Sequence, residues 1–204
     1  MTKIIKFPEA APSKFGYRKA KRKKKINLED YGQLSLFSDP PAEAKVVKMS
    51  GYLSLFEEAL ALDEAGDERS REFYLKAIEA GDSVADAYCN LGVIESNAGN
   101  FVKAIDCFTN CLKFDPRHFE AHYNLANIYA DAGNLKLAKL HYEIAIQIEP
   151  EFASSYYNLG VTLALDKQYA AAIKALSKYK GMAQLDEKIN VEELIKSLER
   201  SLRS

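Results

Sequence analysis

Two thiols and two imidazoles stand close together near the middle of the chain. Cys107 and Cys111 are four residues apart, and His118 and His122 follow with the same spacing. Thiolate and imidazole are ligands that Zn²⁺ prefers in proteins, so this spacing makes a metal site conceivable. Cysteine is also commonly buried as a small hydrophobic residue, and Cys111 holds the place that Ala145 takes 34 residues later. We therefore predict a packed core position here, with no metal.

The remaining reactive side chains form no catalytic pattern. His118, His122 and His141 have no Ser or Cys partner at a recognisable spacing, and the sequence contains no glycine-rich phosphate loop. Its Asp and Glu residues are scattered as on solvated helix surfaces. We predict that the chain is not an enzyme and needs no cofactor.

Three asparagines recur at a fixed distance of 34 residues: Asn90, Asn124 and Asn158, each followed by Leu. An Asn side chain offers two N–H donors and one carbonyl acceptor, so it can hold both polar groups of a peptide main chain. The alternative is that these amides bond only to water or to their own helices. Both interpretations are open on the sequence alone.

The asparagines belong to a longer repeat. YCNLG at 88–92 returns as HYNLA at 122–126 and YYNLG at 156–160, and AGN at 98–100 returns at 132–134. Small residues keep the same register where two helices must approach closely: Gly92, Ala104, Ala126, Ala138, Gly160 and Ala172. A glycine between the segments supplies a turn, and Pro116 and Pro150 end the second helix of their units.

This 34-residue pattern resembles the tetratricopeptide repeat (TPR). The resemblance implies an all-α fold, a right-handed TPR superhelix of antiparallel helix pairs. We expect an array over 49–184 with units at about 51–84, 85–118, 119–152 and 153–184, the first of them degenerate. A capping helix is predicted over 187–203, with a capping box of Asn190 and Glu193. Its apolar stripe is Val191, Leu194, Ile195, Leu198 and Leu202.

TPR arrays typically bind peptide segments along a concave face lined by the first helix of each unit. The resemblance therefore implies a non-catalytic scaffold or adaptor whose partner is a protein or peptide segment. The predicted peptide-binding residues are Asn90, Tyr123, Asn124, Asn127, Tyr157 and Asn158. An acidic, tyrosine-lined surface favours a neutral or basic extended segment, although the tyrosines could instead serve helix packing.

Charge is unevenly distributed along the chain. Residues 1–48 carry 12 Lys or Arg against 5 Asp or Glu, a net charge of +7, whereas the remainder has 16 against 24, a net charge of −8. Prolines and like charges predict a disordered basic N-terminal arm over 1–48. Its basic patch is Arg18, Lys19, Lys21, Arg22, Lys23, Lys24 and Lys25. The arm could bind nucleic-acid phosphates, solubilise the chain, or lie in the acidic groove of its own array and inhibit it.

The arm also contains QLSLF, in which Gln33, Leu34, Leu36 and Phe37 form a candidate partner-docking motif. It resembles the short motif with which bacterial replication and repair proteins bind the DNA sliding clamp. A nucleic-acid-associated factor recruited by the clamp is thus a second function class. The alternatives are docking on the chain's own array or on a homodimer partner.

The sequence predicts a cytoplasmic protein. No apolar run near the start has the length of a signal peptide, and none later reaches membrane-spanning length. Three cysteines, an odd number, do not make a disulfide framework.

Overall fold

The computed structural model describes residues 15–21 and 53–203. All regular structure in these residues is α-helical, and residues 15–21 form neither helix nor strand. The helices are α1 (Leu55–Glu64), α2 (Ser70–Glu79), α3 (Val84–Asn97), α4 (Phe101–Phe114), α5 (Phe119–Asp131), α6 (Leu135–Ile148), α7 (Ala153–Leu165), α8 (Tyr169–Met182) and α9 (Leu185–Leu202). They divide into two compact units, one holding α1 and α2 and the other holding residues 15–20 with α3 to α9.

The smaller unit is a helix pair with a well-capped start. The Ser54 hydroxyl accepts a hydrogen bond from the Glu57 amide at 3.3 Å, and the Glu57 carboxylate accepts one from the Ser54 amide at 2.9 Å. These reciprocal bonds satisfy two amides that the first turn of α1 leaves without helical partners. Between the helices, the buried rings of Phe56 and Tyr74 lie 5.9 Å apart. The degenerate first unit of the sequence therefore still forms an antiparallel pair.

The larger unit contains three antiparallel pairs, α3 with α4, α5 with α6, and α7 with α8. The first helix of each pair is the inner one: α5 buries ten of its 13 residues, whereas its partner α6 buries three of 14. The turns inside the first two pairs contain Gly99 and Gly133 at φ +76° and +75°, the left-handed region that glycine enters without steric cost. This arrangement confirms the helix pairs and the glycine turns that the repeat predicts.

Close helix approach explains the small residues of the repeat. A Cβ added to Gly92 would lie 2.6 Å from a ring carbon of Phe108, and one added to Gly160 would lie 2.6 Å from Cγ of Leu176. Both neighbouring side chains are fully buried. Each glycine thus leaves room for a large side chain of the second helix, as the sequence pattern indicates.

Gly160→Ala is expected to lower the free energy of unfolding by about 1–2 kcal/mol, because overpacking against Leu176 outweighs the better helix propensity of alanine. Gly181→Ala is the matched control, since a Cβ there meets no atom within 4 Å and should stabilise α8 by about 0.5 kcal/mol. Urea unfolding of both variants followed by circular dichroism measures the difference. Equal shifts in the two variants would contradict the close approach.

The last helix, α9, covers the exposed side of α8. Four residues of the predicted stripe are buried, Val191, Leu194, Ile195 and Leu198, whereas Leu202 in the final turn is 51% exposed. The ammonium of Lys180 and the Glu192 carboxylate form an ion pair of 2.9 Å between α8 and α9.

The predicted capping box of α9 is wrong in position, because the helix begins five residues before Asn190. At the actual start, the Glu187 carboxylate accepts a hydrogen bond from the Gln184 amide at 3.3 Å.

Candidate functional site

Residues 15–20 of the chain lie along the groove, which we define as the surface lined by α3, α5 and α7. Their main chain is held by side chains of all three helices, at sequence separations from 70 to 143 residues. Phe15 is at α7, Arg18 at α5 and Ala20 at α3. The segment therefore runs opposite to the order of the repeats along the chain.

Each repeated asparagine binds both polar groups of one residue in the segment. The Asn90 amide accepts from the Ala20 N–H at 2.7 Å and donates to the Ala20 carbonyl at 3.1 Å. Asn124 does the same to Arg18, at 2.8 and 2.7 Å. The corresponding distances from Asn158 to Phe15 are both 3.1 Å. Such two-point contacts recognise an extended main chain without regard to its side chains.

The carbonyl oxygen of Phe15 receives further donors. The Tyr123 hydroxyl donates to it at 3.1 Å, and the Asn127 amide lies 3.4 Å from it and 3.3 Å from the Gly16 carbonyl oxygen. Asn158 also donates to the oxygens of Tyr123 and Asn127, at 3.1 and 2.9 Å. Tyr123 and the side-chain amides of Asn90, Asn124, Asn127 and Asn158 are buried. Their polar groups therefore depend on these hydrogen bonds instead of water.

Three side chains of the segment have distinct surroundings. The Phe15 ring is edge-on to Tyr157 at 5.5 Å and lies 6.0 Å from Tyr179. Burial is the main cause that raises the pKa of both tyrosines to about 12, which keeps them neutral. This end of the groove is therefore an aromatic pocket of neutral rings, with the Glu187 carboxylate hydrogen-bonded to Tyr179.

The Arg18 guanidinium lies over two aromatic rings, 4.4 Å from the centroid of Phe152 and 5.5 Å from that of Phe119. Its Nε is 3.7 Å from a carboxylate oxygen of Glu120. The Arg18 side chain is 45% exposed, so the ion pair contributes little and the stacking carries more of the contact.

Ala20 is 1% exposed and belongs to the buried cluster that contains Cys89, Val93 and Leu125. Between Arg18 and the aromatic pocket, Tyr17 is half-buried. Burial, and then the charge of Asp131, raise the pKa of Tyr17, and a hydrogen bond with Ser96 lowers it in part. The two ends of the segment are thus held differently, by an open aromatic pocket and by a closed small one.

The six residues predicted from the sequence, Asn90, Tyr123, Asn124, Asn127, Tyr157 and Asn158, are all placed against residues 15–20. Sequence reasoning missed Phe119, Phe152 and Tyr179. Phe119 and Phe152 stand at the starts of α5 and α7, so aromatic residues at successive repeat boundaries were an available signal. Tyr179 lies on α8, a second helix, and the assumption that only first helices line the groove excluded it.

The predicted arm and basic patch are described only in part. Arg18 and Lys19 are in the segment described above, and Lys21 follows it, whereas Arg22, Lys23, Lys24 and Lys25 lie outside the described residues. Gln33, Leu34, Leu36 and Phe37 of QLSLF also lie outside them. The disordered arm and the docking motif therefore stay predictions.

The Cys and His residues singled out in the sequence lie on α4, α5 and α6 or at the start of α5. Cys111 is fully buried, as is Ala145 at the equivalent place in the next repeat. A contact with Cys89 first, and then His118, lower the pKa of Cys111 to about 7 despite burial. Within the described residues, no group of three or more His, Cys, Asp or Glu side chains could hold a metal ion.

His118 starts α5, where its Nδ1 accepts from the Ala121 amide at 3.3 Å and its Nε2 lies 3.0 Å from Asp86. Burial by itself lowers the pKa of His118, but the bond with Asp86 and the contact with Cys111 reverse this and raise it to about 10. With that pKa the ring is protonated at neutral pH, so Nδ1 can accept from the Ala121 amide only in the neutral ring, whereas the protonated ring faces the Glu120 carboxylate, 3.6 Å from Nδ1.

His122 and His141 form a second pair, between α5 and α6. Their Nδ1 atoms are 3.0 Å apart, and Nε2 of His122 is 3.1 Å from the Pro116 carbonyl oxygen. If His122 donates to Pro116, its Nδ1 accepts from the Nδ1–H of His141, and both rings are neutral. Burial, and then the nearby His122, lower the pKa of His141 to about 4.

Comparison with protein-family models gives matches to the tetratricopeptide repeat at 85–118 and 119–152, and a match to a second model of the same repeat at 141–174. Residues 85–174 are tetratricopeptide repeats. No catalytic family matched, and a comparison with curated proteins returned no significant match. This part of the chain is therefore a helical repeat with about three TPR motifs.

Several solved structures have the same fold. "MamA RS-1 ArsTM double mutant" is 23% identical, covering 74% of this chain and 96% of that one with a TM-score of 0.59. The first TPR of Spaghetti (RPAP3), bound to the HSP90 peptide SRMEEVD, is 18% identical over 59% of this chain and 94% of that one, with a TM-score of 0.54. The TPR2B domain of yeast Sti1, in a complex with pHsp70, is 18% identical over 57% and 97%, with a TM-score of 0.52.

None of the described helices is long and apolar enough to cross a bilayer.

Proposed function

We propose that this TPR protein is a non-catalytic, cytoplasmic adaptor that holds an extended segment of a partner protein in the groove. The observation that carries the proposal is the set of two-point contacts from Asn90, Asn124 and Asn158 to the main chain of residues 15–20. A groove that holds one extended main chain in this way can also hold the main chain of a partner segment whose side chains fit. The TPR structures bound to peptide segments of HSP90 and Hsp70 support the same kind of role.

The experiment first weakens the binding of residues 15–20 to the groove and then adds the same segment as a separate peptide. The full chain carrying Phe15→Ala and Arg18→Glu is titrated with a fluorescent peptide of residues 12–21, PSKFGYRKAK, and the anisotropy is followed. Saturable binding is expected. Adding Asn124→Ala should weaken it by about tenfold or more, because two hydrogen bonds to the peptide main chain are lost.

Asn110→Ala is the matched control. Asn110 lies on α4, outside the groove, and its side chain accepts a hydrogen bond from Lys113 at 2.9 Å. The same affinity loss in both asparagine variants would contradict the groove as the binding site. Far-UV circular dichroism establishes that each variant keeps its helices.

The position of residues 15–20 also favours the second candidate, an adaptor inhibited by its own arm. A segment of the same chain competes at an effective concentration on the order of millimolar, so an external peptide must overcome it. The chain with Phe15→Ala and Arg18→Glu should therefore bind the peptide at least ~10-fold more tightly than the unaltered chain. Equal affinities would exclude the internal competitor.

Recruitment to nucleic acid or to a bacterial sliding clamp stays a hypothesis from the sequence of the arm. It competes with the groove for Arg18 and Lys19, which belong to the basic patch and also lie in the segment held by α3, α5 and α7. Nucleic acid would then bind the arm best when the segment has left the groove.

A further inference from the structure

Main-chain contacts alone do not choose a partner, but the three side-chain environments along the groove differ in size and chemistry. We infer that the groove selects segments with an aromatic residue, an arginine three positions later and a small residue two positions after that, running from α7 to α3. This pattern, F-x-x-R-x-A in residues 15–20, is the chemistry of the partner that displaces the internal occupant. The inference rests on the proposed function and adds its specificity.

The first position is selected by aromatic contact. The rings of Tyr157 and Tyr179 lie 5.5 and 6.0 Å from that of Phe15, and both tyrosines are buried. An aliphatic side chain would fill less of this pocket and would lose the edge-on ring contact. An anionic one would meet two neutral rings and the Glu187 carboxylate, which hydrogen-bonds Tyr179.

The second position is selected by a planar cation. The Arg18 guanidinium stacks on Phe152 and Phe119 and is close to Glu120, so it uses both its flat face and its charge. Lysine carries the charge but has no planar group to stack, and should bind several-fold more weakly. Glutamate at this position would be repelled by Glu120.

The third position is selected by exclusion. Ala20 is almost completely buried, and Asn90 holds both its N–H and its carbonyl, so the main chain cannot withdraw to admit a larger side chain. Gly16 is the opposite case: a Cβ there would meet no atom within 4 Å. The groove therefore rejects bulk at the position of Ala20 and tolerates it at that of Gly16.

The test compares variants of the peptide PSKFGYRKAK on the full chain with Phe15→Ala and Arg18→Glu. Within the peptide, Phe15→Ala, Arg18→Glu and Ala20→Leu are each expected to weaken binding by about tenfold or more, because each removes or blocks one side-chain environment. Arg18→Lys should weaken it about threefold to tenfold. Gly16→Ala is the matched control and should change the affinity by less than about twofold.

A reversed peptide, KAKRYGFKSP, has the same composition and charge and tests direction. Its expected affinity is at least ~10-fold lower, because the asparagines cannot pair the reversed main chain while Phe and Arg occupy their pockets. Equal binding of the reversed peptide, or of the three substituted peptides, would overturn the selection rule. If that binding still required Asn124, the proposed function would stand without it.

Absence of saturable binding of PSKFGYRKAK to a folded chain would overturn the inference and the proposed function together. Binding that is unchanged by Asn124→Ala but sensitive to Arg18→Glu and to salt would assign it to charge alone, which also overturns both. The peptide titrations and the asparagine variants thus separate the two failures.

Discussion

Replacing Asn90, Asn124 and Asn158 together with alanine is expected to release residues 15–20 from the groove while α3 to α9 stay folded. Each substitution removes two hydrogen bonds to the segment. At about 0.5–1.5 kcal/mol for each bond, every asparagine contributes about 1–3 kcal/mol to docking. The loss of all three contributions should exceed the free energy that keeps a segment of six residues docked. All three asparagines bond the segment directly, and Asn158 also donates to Tyr123 and Asn127.

Hydrogen exchange by NMR measures this release at single amides. The N–H groups of Phe15, Arg18 and Ala20 donate to the asparagines and should be protected in the unaltered chain. In the triple variant their exchange should approach that of an unstructured peptide. Asn110→Ala should leave it unchanged, and slow exchange in the triple variant would show that the asparagines do not hold the segment.

Acid is expected to destabilise the array through the His122–His141 pair. Both rings are neutral in the folded state. Protonation of His122 at Nδ1 would place two N–H groups 3.0 Å apart, and burial opposes a charge on His141. The pKa of His141 is about 4 when folded and 6.5 when unfolded, so the unfolded state takes up the proton first as the pH falls. The contribution of His141 to the free energy of unfolding should therefore be constant above about pH 6.5. It should fall as the pH approaches 4, by at most about 3 kcal/mol and by less to the extent that solvent screens the half-buried ring.

Urea unfolding at a series of pH values between 5 and 7 tests the pair above the range in which carboxylates titrate. His141→Gln should flatten the slope. His118→Gln is the contrasting control: the pKa of His118 is raised to about 10, so its contribution is complete below pH 6.5 and is lost only as the pH rises toward 10. A slope that survives His141→Gln but disappears with His118→Gln would contradict this assignment.

The sequence predicts the helical scaffold well because each repeat places the same residue types where the helices must pack or turn. Gly92 and Gly160 recur where a second helix comes close, and Gly99 recurs where the turn requires positive φ. The asparagines could be located for the same reason, since their spacing equals the repeat. Those features are periodic, and periodicity is visible in a single sequence.

The occupant of the groove could not be predicted in the same way. Residues 15–20 have no period, and they meet Asn158 across 143 positions of the chain. The sequence offered only their charge, which led equally to nucleic acid, to solvation and to the groove. Tyr179 and the His122–His141 pair were missed for a related reason: neither recurs in neighbouring repeats, so both depend on contacts that are seen only when the helices are packed.

The passage of one extended segment across α3, α5 and α7 has a consequence for unfolding. In a solenoid each repeat contacts only its neighbours, so the ends can fray independently of the middle. A segment bonded to three repeats at once couples the first of them to the third. Any occupant, internal or from a partner, therefore makes these repeats melt as a single cooperative unit, and its departure leaves them to open one at a time.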